Sequence, residues 1–205
     1  MTLRYGFYGE DEAQRLFLHR YLQTVTADIE LAFEQDVAFT VQYQRRHGIK
    51  LMNKKEVNKL YADACQRGLT EFQHDCFFVG RDLDDFQPAV FQRENQEMLA
   101  AMRTDLGQWA HKAVLLLPVQ CIEYWLWYLE WRRQNPKSTK NINLESKTRR
   151  DAHIAVYGFA KCTTKHSSPI VEHLSTGMDA DWLASRSASF LAFHNQVQSY
   201  LAALL

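Results

Sequence analysis

Short apolar stretches recur along the chain, each bounded by polar or turn-forming residues. Residues 3–8 are rich in apolar and aromatic residues and end at Gly9, residues 76–79 (CFFV) are wholly apolar, and residues 113–119 (AVLLLPV) form a third run. Such short continuous runs are typical of strands buried on both faces of a parallel sheet. Residues 36–44 (DVAFTVQYQ) alternate apolar and polar positions over part of their length, which predicts a further strand.

The segments between these runs carry apolar residues at helical spacing. Phe17, Tyr21 and Val25 recur every four residues after an acidic start at Asp11 and Glu12, so a helix follows the first strand. The same reasoning predicts helices over residues 54–68, 88–106, 121–133, 146–157 and 189–204, with polar connections over residues 135–143 and 158–168.

Strands alternate with helices through residue 134, and the remainder of the chain is helical by pattern. This order predicts an α/β fold in which helices cover both faces of a mostly parallel central sheet. We therefore expect an α/β core over residues 1–134 and a helical C-terminal extension over residues 144–205 that packs on it.

Composition narrows the class of protein further. Of the 205 residues 46% are hydrophobic, and the 24 basic and 24 acidic side chains cancel, so the chain as a whole is not a polycation. The four cysteines are widely and irregularly spaced, which indicates reduced thiols. There is no signal-like start and no apolar run long enough to cross a bilayer. These features predict a soluble cytoplasmic protein that is not inserted in a membrane.

Acidic residues follow three of the predicted strands. Glu10 comes after the first, Asp82 and Asp84 come after CFFV, and Glu123 follows AVLLLPV. Ligands of open α/β sheets bind beyond the carboxyl ends of the strands, and clustered carboxylates recruit a hard cation. The pattern predicts a site for Mg²⁺ or Mn²⁺ made of these four residues, although acids at such positions also cap helices or lie in solvated loops.

Three motifs carry a resemblance to a known family. They are GEDEAQRLFLHRYL after the first strand, FFVGRDLDD around Asp82 and Asp84, and VQCIEYWLW around Glu123. Together with a Tyr157-Gly158 turn in the C-terminal part, they resemble Toprim domains, especially the small Toprim-like proteins related to OLD-family nucleases. Asp11 stands where that family has glycine. A second alignment, which matches Gly9 instead, puts Tyr8 at the position of the family's glutamate and implies an inactive site.

The resemblance implies metal-dependent phosphodiester cleavage of DNA or RNA. Glu10 is then the general acid/base or a metal ligand, Asp82 and Asp84 hold Mg²⁺ or Mn²⁺, and Lys147 is a candidate catalytic lysine. Such proteins often belong to phage-defence or mobile-element systems and work beside an ATPase partner. The alternative is a catalytically silent Toprim-like module that binds a partner protein or nucleic acid.

A basic stretch supports a role with nucleic acid, because clustered lysines and arginines attract phosphates. Its members that we predict to bind nucleic acid are Arg132, Arg133, Lys137, Lys140, Arg149 and Arg150. The aromatic helix over residues 121–133 is expected to pack in the core, and its remaining rings are compatible with a homodimer or a partner contact. Zinc is not expected, because the chain has no C-x-x-C pair and no H-E-x-x-H motif.

Overall fold

Four parallel strands form the central sheet of the computed structural model, which describes residues 1–84 and 88–204. They are β1 (Thr2–Gly9), β2 (Ala32–Gln35), β3 (Cys76–Gly80) and β4 (Ala113–Leu116), and their order in the sheet is β2-β1-β3-β4. All three strand pairs are parallel. The α/β class and the parallel sheet predicted from the sequence are thereby confirmed.

Helices cover both faces of this sheet, because side chains alternate along each strand. On one face Tyr5 and Phe7 of β1 pack with α1 (Glu12–Val25) and with the helices that follow β4. On the other face Tyr8 packs with Phe77, beneath α2 (Val37–Arg46), α3 (Lys54–Thr70) and α4 (Pro88–Leu106). The helices after β4 are α5 (Glu123–Gln134), α6 (Arg149–Tyr157), α7 (Thr164–Ser175), α8 (Ala180–Ala184) and α9 (Ala188–Ala202). Since the helices from α6 onward share a core with β1 and α1, they form one of the two helical layers.

The strand predicted over residues 36–44 is wrong. The strand ends at Gln35, and Asp36 caps α2 by accepting the backbone N–H of Phe39 at 3.0 Å. Phe39 and Tyr43 are buried, whereas Val41 between them is exposed. Residues four apart lie on one side of a helix as well as on one side of a strand, so this short window fits both periods, and packing against β1 selects the helix.

Other predicted boundaries shift by a few residues. β4 ends at Leu116, so Pro118 lies beyond the ladder, where its carbonyl accepts the N–H of Leu83 at 3.1 Å. α6 begins at Arg149 rather than at residue 146, and α7 begins inside the connection predicted over residues 158–168. Among residues 1–84 and 88–204, every helix is too short or too polar to span a bilayer.

The aromatic helix α5 supplies the centre of the larger core. Trp125 is fully buried, and its ring centroid lies 5.3 Å from that of Phe17 and 5.1 Å from that of Phe190. The indole N–H donates to Ser189 Oγ at 2.9 Å. Tyr124 and Tyr128 are buried on the same helix, so the predicted packing role of these aromatic residues is confirmed.

We expect Trp125→Ala to lower the free energy of unfolding by about 3–5 kcal/mol, because it leaves a large cavity in the core. Urea denaturation measures the change. Phe159→Ala, which truncates an aromatic ring that is 59% exposed, is the control and should change stability by at most about 0.5 kcal/mol. Equal losses in the two variants would contradict a central role for Trp125.

Candidate metal and catalytic site

The parallel pairing of β1 and β3 brings Glu10 to Asp82. Gly9 lies opposite Gly80 in the strand register, so both chains leave the sheet side by side. The backbone N–H of Asp82 donates to Glu10 Oε1 at 3.1 Å. The structure therefore joins two of the predicted acidic residues across 72 positions of sequence.

Asp82 is a buried carboxylate, with 1% of its surface exposed. Its Oδ1 accepts from Gln14 Nε2 at 2.8 Å, and its Oδ2 lies 3.0 Å from a guanidinium nitrogen of Arg149. Burial raises the pKa of Asp82 well above its usual range, the charges of Asp11 and Glu123 raise it further, and Arg149 opposes them. Burial thus favours the protonated form of Asp82, and a cation beside it favours the charged form.

Gln14 is held in place by the backbone around it. The residue is buried in the first turn of α1, whose N-cap Asp11 accepts the backbone N–H of Gln14 at 2.8 Å. Its carboxamide oxygen also accepts the N–H of Glu10 at 3.3 Å. A Cβ atom at Gly80 would come within 2.5 Å of that oxygen, so a larger residue there would displace the Gln14 carboxamide that contacts Asp82.

Two cations neutralise the Asp-x-Asp motif in the structure. Arg149 reaches both aspartates, at 3.0 Å from Asp82 Oδ2 and 2.6 Å from Asp84 Oδ1. Lys54, at the start of α3, donates to Asp84 Oδ2 at 3.1 Å and to the carbonyl of Leu83 at 3.0 Å. The backbone of Asp84 is left-handed, with a φ of 60°. Asp85, which the sequence places beside this pair, lies outside the described residues.

Glu10 has the electrostatics of an acid/base group. Burial raises the pKa of Glu10 to about 7, the charge of Asp84 adds to the rise, and the N–H of Asp82 works against it. A carboxyl group with this pKa is partly protonated at neutral pH, so it can both accept and donate a proton.

The structure also shows which residue at the end of β1 contacts the aspartates. Tyr8 is fully buried on the opposite face of the sheet, where its ring centroid lies 5.2 Å from that of Tyr43. Glu10 is the residue in contact with Asp82. The alignment that puts Tyr8 in the acidic site does not match this geometry.

Glu123 lies beside the acidic pair but has its own contacts. It is 6% exposed in the first turn of α5, where it accepts the hydroxyl of Tyr157 at 3.1 Å. His153 Nε2 is 3.6 Å from Glu123 Oε1. A group of three potential metal ligands lies here: Cys121, Glu123 and His153. One ligand atom of each lies within 4.8 Å of the other two, and within residues 1–84 and 88–204 no other group of three meets this criterion.

Helix α6 carries the partners that sequence reasoning missed. Arg149, His153 and Tyr157 are four residues apart, so they lie along one side of the helix. The first contacts the aspartates and the other two approach Glu123. Their four-residue spacing indicates in the sequence that they share one side of a helix. The sequence does not indicate that this side faces the acidic residues.

Arg132 and Arg133, predicted to bind nucleic acid, make intramolecular contacts at the end of α5. Arg132 donates to the carbonyl of Pro136 at 2.8 Å, and its guanidinium lies 5.3 Å from the ring centroid of Trp182. Arg133 donates to the carbonyl of His173 at 2.6 Å. These contacts tie α5 to the segment around α7 and α8.

The other predicted basic residues point to solvent. Lys137, Lys140, Lys147 and Arg150 are exposed. The carbonyl of Lys147 accepts the hydroxyl of Tyr124 at 2.7 Å, which holds the chain just before α6. A catalytic role for Lys147 and contacts of this set with nucleic acid stay predictions.

We expect the free energy of unfolding to fall as pH rises from about 4.5 to about 7. In that range Glu10 is ionised in the unfolded chain but largely protonated in the folded protein, so the unfolded state binds fewer protons. Glu10→Gln keeps this position neutral, so at about pH 8 the variant should be more stable than the natural chain by at most about 3 kcal/mol.

Urea denaturation of both proteins across this pH range measures the difference. The control is Glu130→Gln, which removes a carboxylate that accepts from Gln134 at the surface of α5. If the stability gap between natural chain and Glu10→Gln does not widen with pH, the proposed titration of Glu10 is wrong.

Comparisons of the chain with protein-family models, with curated proteins and with solved structures found no match. The Toprim-like interpretation therefore continues to rest on the three sequence motifs.

Proposed function

We propose that the protein is a metal-dependent nuclease of Toprim-like fold that hydrolyses phosphodiester bonds of DNA or RNA. One observation carries the proposal: Glu10, Asp82 and Asp84 meet at the carboxyl edge of β1 and β3, with the Glu10 carboxylate against the backbone of Asp82. In sheets of this kind that edge is where ligands bind. By the same resemblance, the protein would act in phage defence or in a mobile-element system.

The donor set fits a hard divalent cation. Glu10, Asp82 and Asp84 offer carboxylate oxygens, which Mg²⁺ and Mn²⁺ prefer. Arg149 contacts one oxygen of each aspartate, so a cation held by both aspartates competes with it. The Arg149 side chain is 47% exposed at the first turn of α6, so it can turn towards solvent when a cation takes its place.

The roles of the protein's own groups follow from their positions. A bound Mg²⁺ or Mn²⁺ would polarise a phosphoryl oxygen and lower the pKa of a coordinated water. With Asp82 and Asp84 holding the cation, Glu10 would move a proton at the reacting oxygen. Once displaced from the aspartates, Arg149 would present two parallel donors suited to a phosphate, and Lys54 would add a positive charge beside it.

Positive side chains around the site favour a polyanionic substrate. Lys54 is the first residue of α3, and its amino group donates to Asp84. Lys147 and Arg150 flank Arg149 at the start of α6, and both are exposed. Nucleic acid entering this edge would meet these cations before the carboxylates, as expected for phosphate-driven binding.

A second candidate function is the catalytically silent module that binds a partner protein, such as an ATPase, or nucleic acid. The ion pairs of Arg149 with Asp82 and Asp84 favour it, because they neutralise the acidic motif without a metal. In that case the motif serves mainly to fasten α6 to the sheet.

We expect Asp82→Asn to lower Mn²⁺-dependent cleavage of single- or double-stranded nucleic acid by about 10²- to 10⁴-fold, because it removes a central ligand. Asp28→Asn, at an exposed position outside the site, is the control. Unchanged cleavage by purified Asp82→Asn would refute the nuclease. If the natural chain does not cleave and its melting temperature does not rise with Mn²⁺, the silent module is the better account.

Arg149→Met should increase the affinity for Mn²⁺ by about tenfold, because it frees two carboxylate oxygens from an ion pair. Isothermal titration calorimetry measures the affinity. Arg150→Met is the matched control, since it removes the same charge one residue away from an exposed side chain. Equal gains in the two variants would mean that only the general charge matters and that Arg149 does not compete with the cation.

A further inference from the structure

A second group of ligand atoms lies next to the acidic pair but has a different chemistry. Cys121 and Glu123 flank Ile122 at the start of α5, and His153 comes from the middle of α6. One ligand atom of each lies within 4.8 Å of the other two. Cys121 and Glu123 are buried and His153 is half-buried, so the group has a protected interior and one side towards solvent.

The spacing within this group suits a bound ion better than direct contact. His153 Nε2 and Glu123 Oε1 are 3.6 Å apart, which is longer than a good hydrogen bond. Two ligands at about 2.1 Å from a tetrahedral ion are separated by roughly 3.4 Å. The two side chains therefore already stand at about the distance that a shared metal imposes.

Hydrogen bonding in the group is incomplete within the part of the chain that the structure describes. His153 Nδ1 is buried and has no partner there. The buried Glu123 carboxylate accepts from the Tyr157 hydroxyl at 3.1 Å and from the Cys121 thiol, and both donors are neutral. A cation bound beside this buried carboxylate would stabilise its charge.

We propose that Cys121, Glu123 and His153 bind Zn²⁺ or a similar transition-metal ion, at a site separate from the hard-cation site at Glu10, Asp82 and Asp84. Sulfur, oxygen and nitrogen donors together select such an ion, and the thiolate disfavours Mg²⁺. Three protein ligands leave a fourth position for water or a substrate oxygen.

Binding converts the Cys121 thiol into a thiolate. The S–H bond breaks, the S–metal bond forms, and the proton passes to solvent. Tyr157 donates to Glu123 Oε1, the oxygen that lies 3.6 Å from His153 Nε2, and so orients this ligand. On this proposal Glu123 belongs to the transition-metal site, although the sequence grouped it with the Mg²⁺ ligands. The expectation that the chain does not bind zinc is then revised. No short motif marks the site, because its ligands come from two separate segments, the start of α5 and the middle of α6.

Cobalt provides the test, because a cobalt–thiolate bond has a charge-transfer absorption in the near ultraviolet. The full chain is stripped with a chelator and titrated with Co²⁺, and metal content is measured by mass spectrometry. We expect one Co²⁺ per chain with the thiolate band, full loss of the band in Cys121→Ser, and about 10- to 100-fold weaker binding in His153→Gln. Displacement by Zn²⁺ should abolish the band.

Controls separate this site from others. Cys65→Ser alters a buried thiol in the other core, and His111→Gln alters an exposed imidazole before β4; both should keep the band and the affinity. Asp82→Asn should also keep the thiolate band, so the spectroscopic result does not depend on the proposed nuclease. Absence of Co²⁺ binding in the natural chain, or a band that survives Cys121→Ser, would overturn the proposal. Unchanged affinity in folded His153→Gln would reveal an adventitious ion only.

Discussion

The pairing of the buried Asp82 carboxylate with Arg149 is the contact on which the site depends. Asp82 is 1% exposed, and a charge in such a position is costly unless a cation compensates it. Arg149 supplies that cation from α6, more than sixty residues further along the chain. Because the contact joins the first turn of α6 to the residues that follow β3, it also anchors α6 to the edge of the sheet.

The carboxylates of Asp82 and Asp84 can be neutralised in two ways, by Arg149 or by a metal ion. Carboxylates at the ends of parallel strands require positive charge, and a guanidinium or a divalent ion can provide it. Arg149 contacts Asp82 and Asp84 with a side chain that is 47% exposed. By contrast, backbone N–H groups donate to the side chains of Glu10 and Gln14 and fix their positions. If a metal ion can replace Arg149, the fixed carboxylates suit the proposed metal-dependent chemistry. If Arg149 stays in place, the same carboxylates suit a catalytically silent binding module.

Much of the architecture was predictable because burial on both faces leaves a simple pattern. The apolar runs gave β1, β3 and β4, and four-residue spacing gave α1. The failure at residues 36–44 arose where alternation and helical spacing coincide at Phe39 and Tyr43. Arg149 was assigned to nucleic acid because its positive charge was visible in the sequence and its partner Asp82 was not.

By itself, the sequence determined which acids follow which strands, because apolar runs mark the strands and parallel strands expose one common edge. Tertiary structure alone decided that Glu10 rather than Tyr8 meets Asp82, because Tyr8 is still within β1 and packs against Tyr43, whereas Glu10 follows the end of the strand. It alone placed Arg149 and His153 at the site. Contacts between α6 and the sheet edge depend on how the helices pack over the core. No local pattern of residues encodes the distance from Arg149 to Asp82 or from His153 to Glu123.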